Sequence, residues 1–247
     1  MDWRKLRNLA FNIFLLQVAV GCGGNGLNCG GTAAIEGSQT TGHLVIANCA
    51  DMPPVDLYLN GVKQFSAVNY GDTGPVVNLT FQNPLPVVLR EAGGTSDLFS
   101  QNILVNGNGT FFVFGNAANP IVKFFPQSSA PNANQTVFTY IQGDPSDTTS
   151  YDLYVTPPDA DLNAIAPTTI QVGYVGGSGF NTSGFAFVDQ GQTYQVRLCL
   201  TGTKTVAQDF GTIPAIGTTI QTSFNYYLVS TTSSGSPTQL LWNIFKN

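Results

Sequence analysis

The runs Asp144-Pro145-Ser146-Asp147 and Asp159-Ala160-Asp161 hold four carboxylates in two short polar stretches, and these are the side chains best placed to do chemistry. Converging from two loops, their oxygens would suit calcium, a hard cation that takes oxygen donors. The commoner use of a turn aspartate is to hydrogen-bond its own backbone, and that reading comes first. Acid–base catalysis asks for a group that titrates near neutral pH. The chain has one histidine, His43, and two glutamates, Glu36 and Glu91. Asp56 and Asp152 stand at matching places in two similar segments and read as structural strand residues. No serine sits in a nucleophile elbow. Gly176-Gly177-Ser178-Gly179 lacks the lysine and the following helix of a phosphate loop. The expectation is a protein that is not an enzyme and needs no cofactor.

Binding residues are sparser still. Aromatic faces that could stack on a sugar ring are Tyr70, Phe180 and Trp242, with Phe185 and Phe187 as further candidates. Strand alternation makes most of these core residues first and ligand contacts second. The cysteines are Cys22, Cys29, Cys49 and Cys199, with no CxxC spacing and a single histidine to join them. A Cys/His metal site is therefore not expected.

Composition narrows the class of fold that carries these residues. Of 247 residues only 9% are charged, against 43% apolar. Soluble domains usually carry about 25% charged residues. Thr, Ser, Asn, Gln and Gly fill the deficit, which suits solvent faces of strands and their turns rather than helix surfaces. The formal net charge is -5. Beyond the N-terminus the cations are Lys63, Arg90, Lys123, Arg197, Lys204 and Lys246, too scattered to track a phosphate backbone. Nucleic acid is rejected as a partner.

From residue 43 onward, short apolar runs are broken by Gly, Pro, Asn and Asp, the signature of a sandwich or barrel. The chain also repeats itself. Val55-Asp56-Leu57-Tyr58-Leu59 recurs as Tyr151-Asp152-Leu153-Tyr154-Val155, and Leu85-Pro86-Val87-Val88-Leu89 as Tyr194-Gln195-Val196-Arg197-Leu198. Eight strands are predicted in the first copy, near 43–49, 55–60, 64–69, 75–80, 86–91, 98–104, 109–115 and 120–125. Asn60-Gly61 is a hairpin turn, because both residues tolerate positive φ. In the second copy a proline-rich insertion, 157–168, replaces that turn and contains a single turn of helix. Alternation places Leu85, Val87 and Leu89 inward and Arg90 outward. The same register places Tyr194, Val196 and Leu198 inward and Arg197 and Cys199 outward. The fold expected is all-β: two tandem immunoglobulin-like or transthyretin-like antiparallel β-sandwiches, at 43–126 and 136–247, joined by a linker at 127–135.

Residues 1–21 read as a signal peptide, with Arg4, Lys5 and Arg7 before an apolar run from Leu9 to Val20. Val18-Ala19-Val20-Gly21-Cys22 resembles the lipobox of bacterial lipoproteins, with Ala19 where that family prefers Leu. The resemblance implies lipidation of Cys22, a membrane anchor and a Gly/Asn-rich tether over 22–42. Gly23 after the cysteine, in place of Asp, implies the outer membrane.

The segment Leu44-Val45-Ile46-Ala47-Asn48-Cys49-Ala50-Asp51-Met52-Pro53-Pro54-Val55-Asp56-Leu57-Tyr58-Leu59-Asn60-Gly61 resembles the family called domain of unknown function 4397, found in secreted and surface proteins, mostly of bacteria. The likeness covers 43–125 well and 136–245 loosely. That family often has a histidine in the opening strand, where this chain has Asn48. It implies a β fold and transfers no catalytic residue. The function expected is surface display, adhesion or protein interaction by a cell-envelope lipoprotein. The alternatives are a carbohydrate-binding module and a structural envelope subunit, so the partners expected are the membrane and an envelope protein or polysaccharide.

Overall fold

Among the described residues of the computed structural model, every regular element longer than one helical turn is a strand. The structure describes residues 39–127, 134–177, 183–215, 225–233 and 236–244. The expected signal peptide, Cys22, Cys29 and most of the tether therefore lie outside the described residues. The first repeat contains β1 (Gln39–Asn48), β2 (Val55–Leu59), β3 (Val62–Val68), β4 (Val77–Gln82), β5 (Leu85–Glu91), β6 (Phe99–Ile103), β7 (Gly109–Asn116) and β8 (Asn119–Pro126). The second contains β9 (Gln135–Gln142), β10 (Tyr151–Thr156), β11 (Thr169–Val172), β12 (Gly184–Asp189), β13 (Thr193–Leu200), β14 (Val206–Pro214), β15 (Asn225–Ser233) and β16 (Ser236–Ile244). A 3-10 turn at Leu162–Ala164 occupies the insertion, as its sequence predicts.

Each repeat folds into two four-stranded sheets, and the strand orders correspond one to one. The first repeat gives β3-β2-β5-β6 and β4-β1-β7-β8; the second gives β11-β10-β13-β14 and β12-β9-β15-β16. The sheets are antiparallel with one exception in each repeat. β1 runs parallel to β7, and β9 parallel to β15. Those partners lie far apart in sequence, so the connection is long enough to bring the chain back in the same direction. Asn60 and Gly61 take φ of 50° and 76° in the β2–β3 turn, the positive values a tight hairpin demands.

Period-two alternation builds each sandwich core. Leu85, Val87 and Leu89 point inward from β5, fully buried, and meet Leu44, Ile46 and Phe111 from the facing sheet. In the second repeat Val196 and Leu198 do the same beside Phe138, Tyr140 and Leu228.

A third apolar cluster joins the repeats. Val45, Ala47, Cys49, Phe112 and Phe114 on the sheet containing β1 and β7 pack with Ile141, Tyr227 and Val229 on the sheet containing β9 and β15. The Phe112 and Tyr227 rings lie 5.0 Å apart. Thr231 Oγ1 donates across the seam to the Cys49 carbonyl. The sheets are thus stacked four deep, and the central strands of the two middle ones, β1 with β7 and β9 with β15, are buried on both faces. This explains the unbroken burial of Phe111, Phe112, Val113 and Phe114, where a sandwich with one solvent face would alternate.

The outward placement of Arg197 and Cys199 needs correction. Both leave the core face as the register requires, yet neither is exposed, at 9% and 0%. The insertion after β10 folds back over that face. Leu162 packs with Tyr154 and Cys199, and Arg197 Nη2 donates to Thr156 Oγ1 and the Ala160 carbonyl. Arg90, in the first repeat, has no such cover and stays partly exposed, bonded to Asp97 and stacked on Tyr58.

Candidate binding groove

Three of the four acidic candidates, Asp144, Asp147 and Asp161, accept a backbone N–H two residues on. Asp144 Oδ1 accepts from the Ser146 N–H at 2.8 Å. Gln142, which ends β9 as Asn48 ends β1, accepts from the Asp144 N–H at 3.2 Å, as Asn48 accepts from the Ala50 N–H at 3.0 Å. Asp147 accepts from Gln142 Nε2, the Thr149 N–H and the Tyr151 hydroxyl. Burial, followed by that bond to Asp147, pushes the Tyr151 phenol up to about 12. Asp161 caps the 3-10 turn by accepting from Asn163 N–H. Asp159 adopts φ of 58° in the insertion, its N–H bonded to Gln195 Oε1. Among the described residues no group of three or more His, Cys, Asp or Glu side chains gathers around a metal position, so the four calcium candidates are not brought together.

Asp56 and Asp152 form matched clamps. Asp56 is 1% exposed and accepts from the Ala67 N–H at 2.8 Å, the Gly93 N–H at 3.3 Å and Lys63 Nζ at 2.9 Å. Asp152 accepts from the Gln171 N–H at 3.1 Å and the Gly202 N–H at 2.8 Å. In each repeat the clamp holds a non-glycine residue at positive φ, Ala67 or Gln171, beside a positive-φ turn glycine. Burial raises the Asp56 pKa, but the bonds from Lys63, Ala67 and Gly93 outweigh it and hold the group below its ordinary value. These are structural aspartates, as their matched positions imply. His43 is exposed on β1, with its backbone N–H bonded to Asn108 Oδ1.

The stacking candidates scatter. Tyr70 lies in the β3–β4 loop, partly exposed. Phe180 lies outside the described residues. Trp242 is placed on β16 opposite Tyr227 in the register. Phe185 and Phe187 are exposed side by side on β12, with rings 5.8 Å apart and edge to face.

A concave site exists elsewhere, at a place the sequence did not single out. β6 and β8 are the edge strands of the first repeat's two sheets, and they flank the same open side of the sandwich. Between them runs an open groove of about 600 Å³, within the range of ligand sites. Phe99 and Ile103 from β6 and Phe124 from β8 supply apolar wall, each also packed against the core. Gln101, Asn102 and Lys123 supply polar atoms and are exposed. Gly176, from the segment between β11 and β12, closes one end. A Cβ there would meet Ile121 Cδ1 and the Tyr174 ring at 2.6 Å, so glycine is what lets the second repeat lie against β8. That segment is fixed by the Val175 N–H, which donates to the Gln142 carbonyl at 2.8 Å.

No family model matches the chain, and no curated protein does. Among solved structures, the chain is similar to a family CBM26 carbohydrate-binding module of Eubacterium rectale Amy13K, determined in complex with maltoheptaose. The TM-score is 0.26 and the identity 10%, over 83% of this chain and 98% of that one. It is also similar to a protein described under alpha-glucan binding by a streptococcal virulence factor. There the TM-score is 0.27 and the identity 9%, over 81% of this chain and 96% of that one. Scores this low carry no argument about a ligand.

Proposed function

We propose that this chain is a non-catalytic binding protein of the bacterial cell envelope whose ligand is a polysaccharide seated in the groove between β6 and β8. The observation that carries the reading is the lining of that groove: Phe99 and Phe124 beside Gln101 and Asn102. Sugar rings present apolar C–H faces that stack on aromatic surface, and hydroxyls that pair with amides, which both donate and accept. The edge strands add length: five residues of β6 span about 16 Å, enough for a polymer to lie along rather than for one small molecule to be enclosed. The groove lining includes no Asp, Glu, His or Cys, so it offers no acid–base pair.

Affinity electrophoresis of the full-length protein against a panel of envelope and host polysaccharides tests this. Gln101→Ala and Asn102→Ala are exposed changes that leave the core intact. Each should weaken binding about fivefold to tenfold, the worth of one hydrogen bond of roughly 1 kcal/mol. Retention on no polysaccharide, or variants indistinguishable from wild type, refutes the reading.

The N-terminal features belong to the same proposal: export, cleavage before Cys22 and a lipid anchor in the outer membrane, on a chain related to domain of unknown function 4397. Palmitate label that is present on wild type and lost in Cys22→Ser supports the anchor; equal label on both defeats it. A second reading, adhesion to a protein, is favoured by the exposed apolar side chains of Ile170, Phe185 and Phe187 on β11 and β12. Binding that survives the groove changes and fails in Phe185→Ser would favour it.

A further inference from the structure

We infer that the ligand is an acidic polysaccharide and that Lys123 recognises its anionic group, carboxylate or sulfate ester; this rests on the groove being a polysaccharide site. The argument begins with where the cations are spent. Lys63 is held by Asp56 at 2.9 Å, and Arg90 by Asp97 at 2.6 Å. Arg197 is buried against Thr156 and Ala160. Lys204 donates to the Tyr154 hydroxyl and the Ile165 carbonyl. Among the described residues Lys123 is the cation left without a hydrogen bond or ion pair, and it is exposed.

Its setting makes that unusual. Lys123 interrupts an apolar run, Ile121-Val122-Lys123-Phe124-Phe125, in a chain where charged residues are only 9%. The groove lining contains this one cation and no acidic side chain, although the protein as a whole carries a formal charge of -5. Charge of the opposite sign is thus placed locally, against the general field. At physiological ionic strength fields fade over about 8 Å, so a bound polymer would sense Lys123 more than the distant aspartates. A lysine ammonium is a point charge on a flexible stem. Lys123 leaves β8 by the face of Ile121, opposite that of Phe124, so it would meet an anion on the Gly176 side of the groove while Phe99 or Phe124 contacts another ring of the polymer.

Four polymers separate the outcomes when titrated into the full-length protein: polygalacturonate, dextran sulfate, dextran and amylose. The expected result is binding of an anionic polymer in preference to the neutral ones, weakened by added salt. Lys123→Ala should lose about fivefold of that affinity, as for an exposed ion pair near the top of its usual range, and Lys123→Arg should keep it. Whether polygalacturonate or dextran sulfate binds identifies the anion. Dextran or amylose bound as tightly as the acidic polymers, or Lys123→Ala indistinguishable from wild type, overturns the inference and leaves the polysaccharide reading standing. Binding of none of the four, with none elsewhere in the wider panel, overturns both.

Discussion

Replacing Asp56 and Asp152 by asparagine, one at a time, measures how much of this fold hangs on two buried carboxylates. Asparagine keeps the shape and one acceptor oxygen, but turns the second position into a donor. In Asp152→Asn either the Gln171 or the Gly202 N–H then faces an NH2 group. A hydrogen bond to a charged group contributes about 1.5–3 kcal/mol, and a stranded buried donor costs a similar amount. The loss expected is about 2–3 kcal/mol, a large share of an ordinary domain's stability. Part of it is strain released from control, since Gln171 at φ 54° and Ala67 at φ 51° sit where a side chain costs about 1–2 kcal/mol. Asp56→Asn loses the Lys63 pair as well, but Lys63 is 41% exposed and solvent screens that pair, so it adds little. The two variants should therefore be destabilised almost equally. Urea unfolding followed by circular dichroism reads the difference. The pH dependence has a fixed sign. The folded pKa of Asp56 is lowered, so its contribution is fully present above the unfolded value near 4 and fades as pH falls through the folded value. Wild type and Asp56→Asn should converge in acid. Either variant within about 0.5 kcal/mol of wild type, about a third of the smallest clamp energy, would refute the clamp.

Other expectations follow from the seam, the insertion and the groove. Phe112→Leu and Tyr227→Leu, made singly and together, should show a coupling of about 1 kcal/mol in a double-mutant cycle, the worth of one aromatic pair; simple additivity would mean the repeats do not bear on each other there. Burial raises the thiol pKa of both Cys49 and Cys199, so both should resist alkylation in the native protein. Leu162→Ala loosens the cover over Cys199 alone and should speed its labelling about tenfold, for about 1.4 kcal/mol of easier opening, with Cys49 unchanged by mass spectrometry. Gly176→Ala forces Ile121 and the Tyr174 ring to move, so it should destabilise by about 1–3 kcal/mol and weaken polysaccharide binding with it.

Much of the architecture is visible in the residues because local pattern dictates it. The strand Leu85, Val87, Leu89 declares its core face by alternation, and Asn60-Gly61 declares its hairpin by backbone freedom. The repeat of Val55-Asp56-Leu57 in Tyr151-Asp152-Leu153 foretells equal places for β2 and β10. What alternation cannot tell is what lies beyond a strand's second face. Arg197 and Cys199 read as outward, and so they are, but a segment some forty residues upstream lies over them. The middle sheets carry a sign of their own in the consecutive apolar runs Leu44-Val45-Ile46-Ala47 and Phe111-Phe112-Val113-Phe114, since a strand buried on both faces has no reason to alternate. The groove was beyond reach for a related reason. Phe99, Phe124 and Gly176 come from three distant segments, and the nearest local sign was Lys123, a lone charge inside an apolar strand.

The seam has a consequence for growth. The two copies meet through corresponding sheets, the arrangement found where two like subunits associate face to face. Such a contact saturates. Each copy has one sheet suited to a partner, and each has already given it to the other, while the far face of the second copy lies under its own insertion. Duplication here yields a couple instead of a column: the outer face left open on the first copy carries Tyr58, Lys63 and Arg90 rather than an apolar surface like the seam, and reach would have to come from the chain outside the pair.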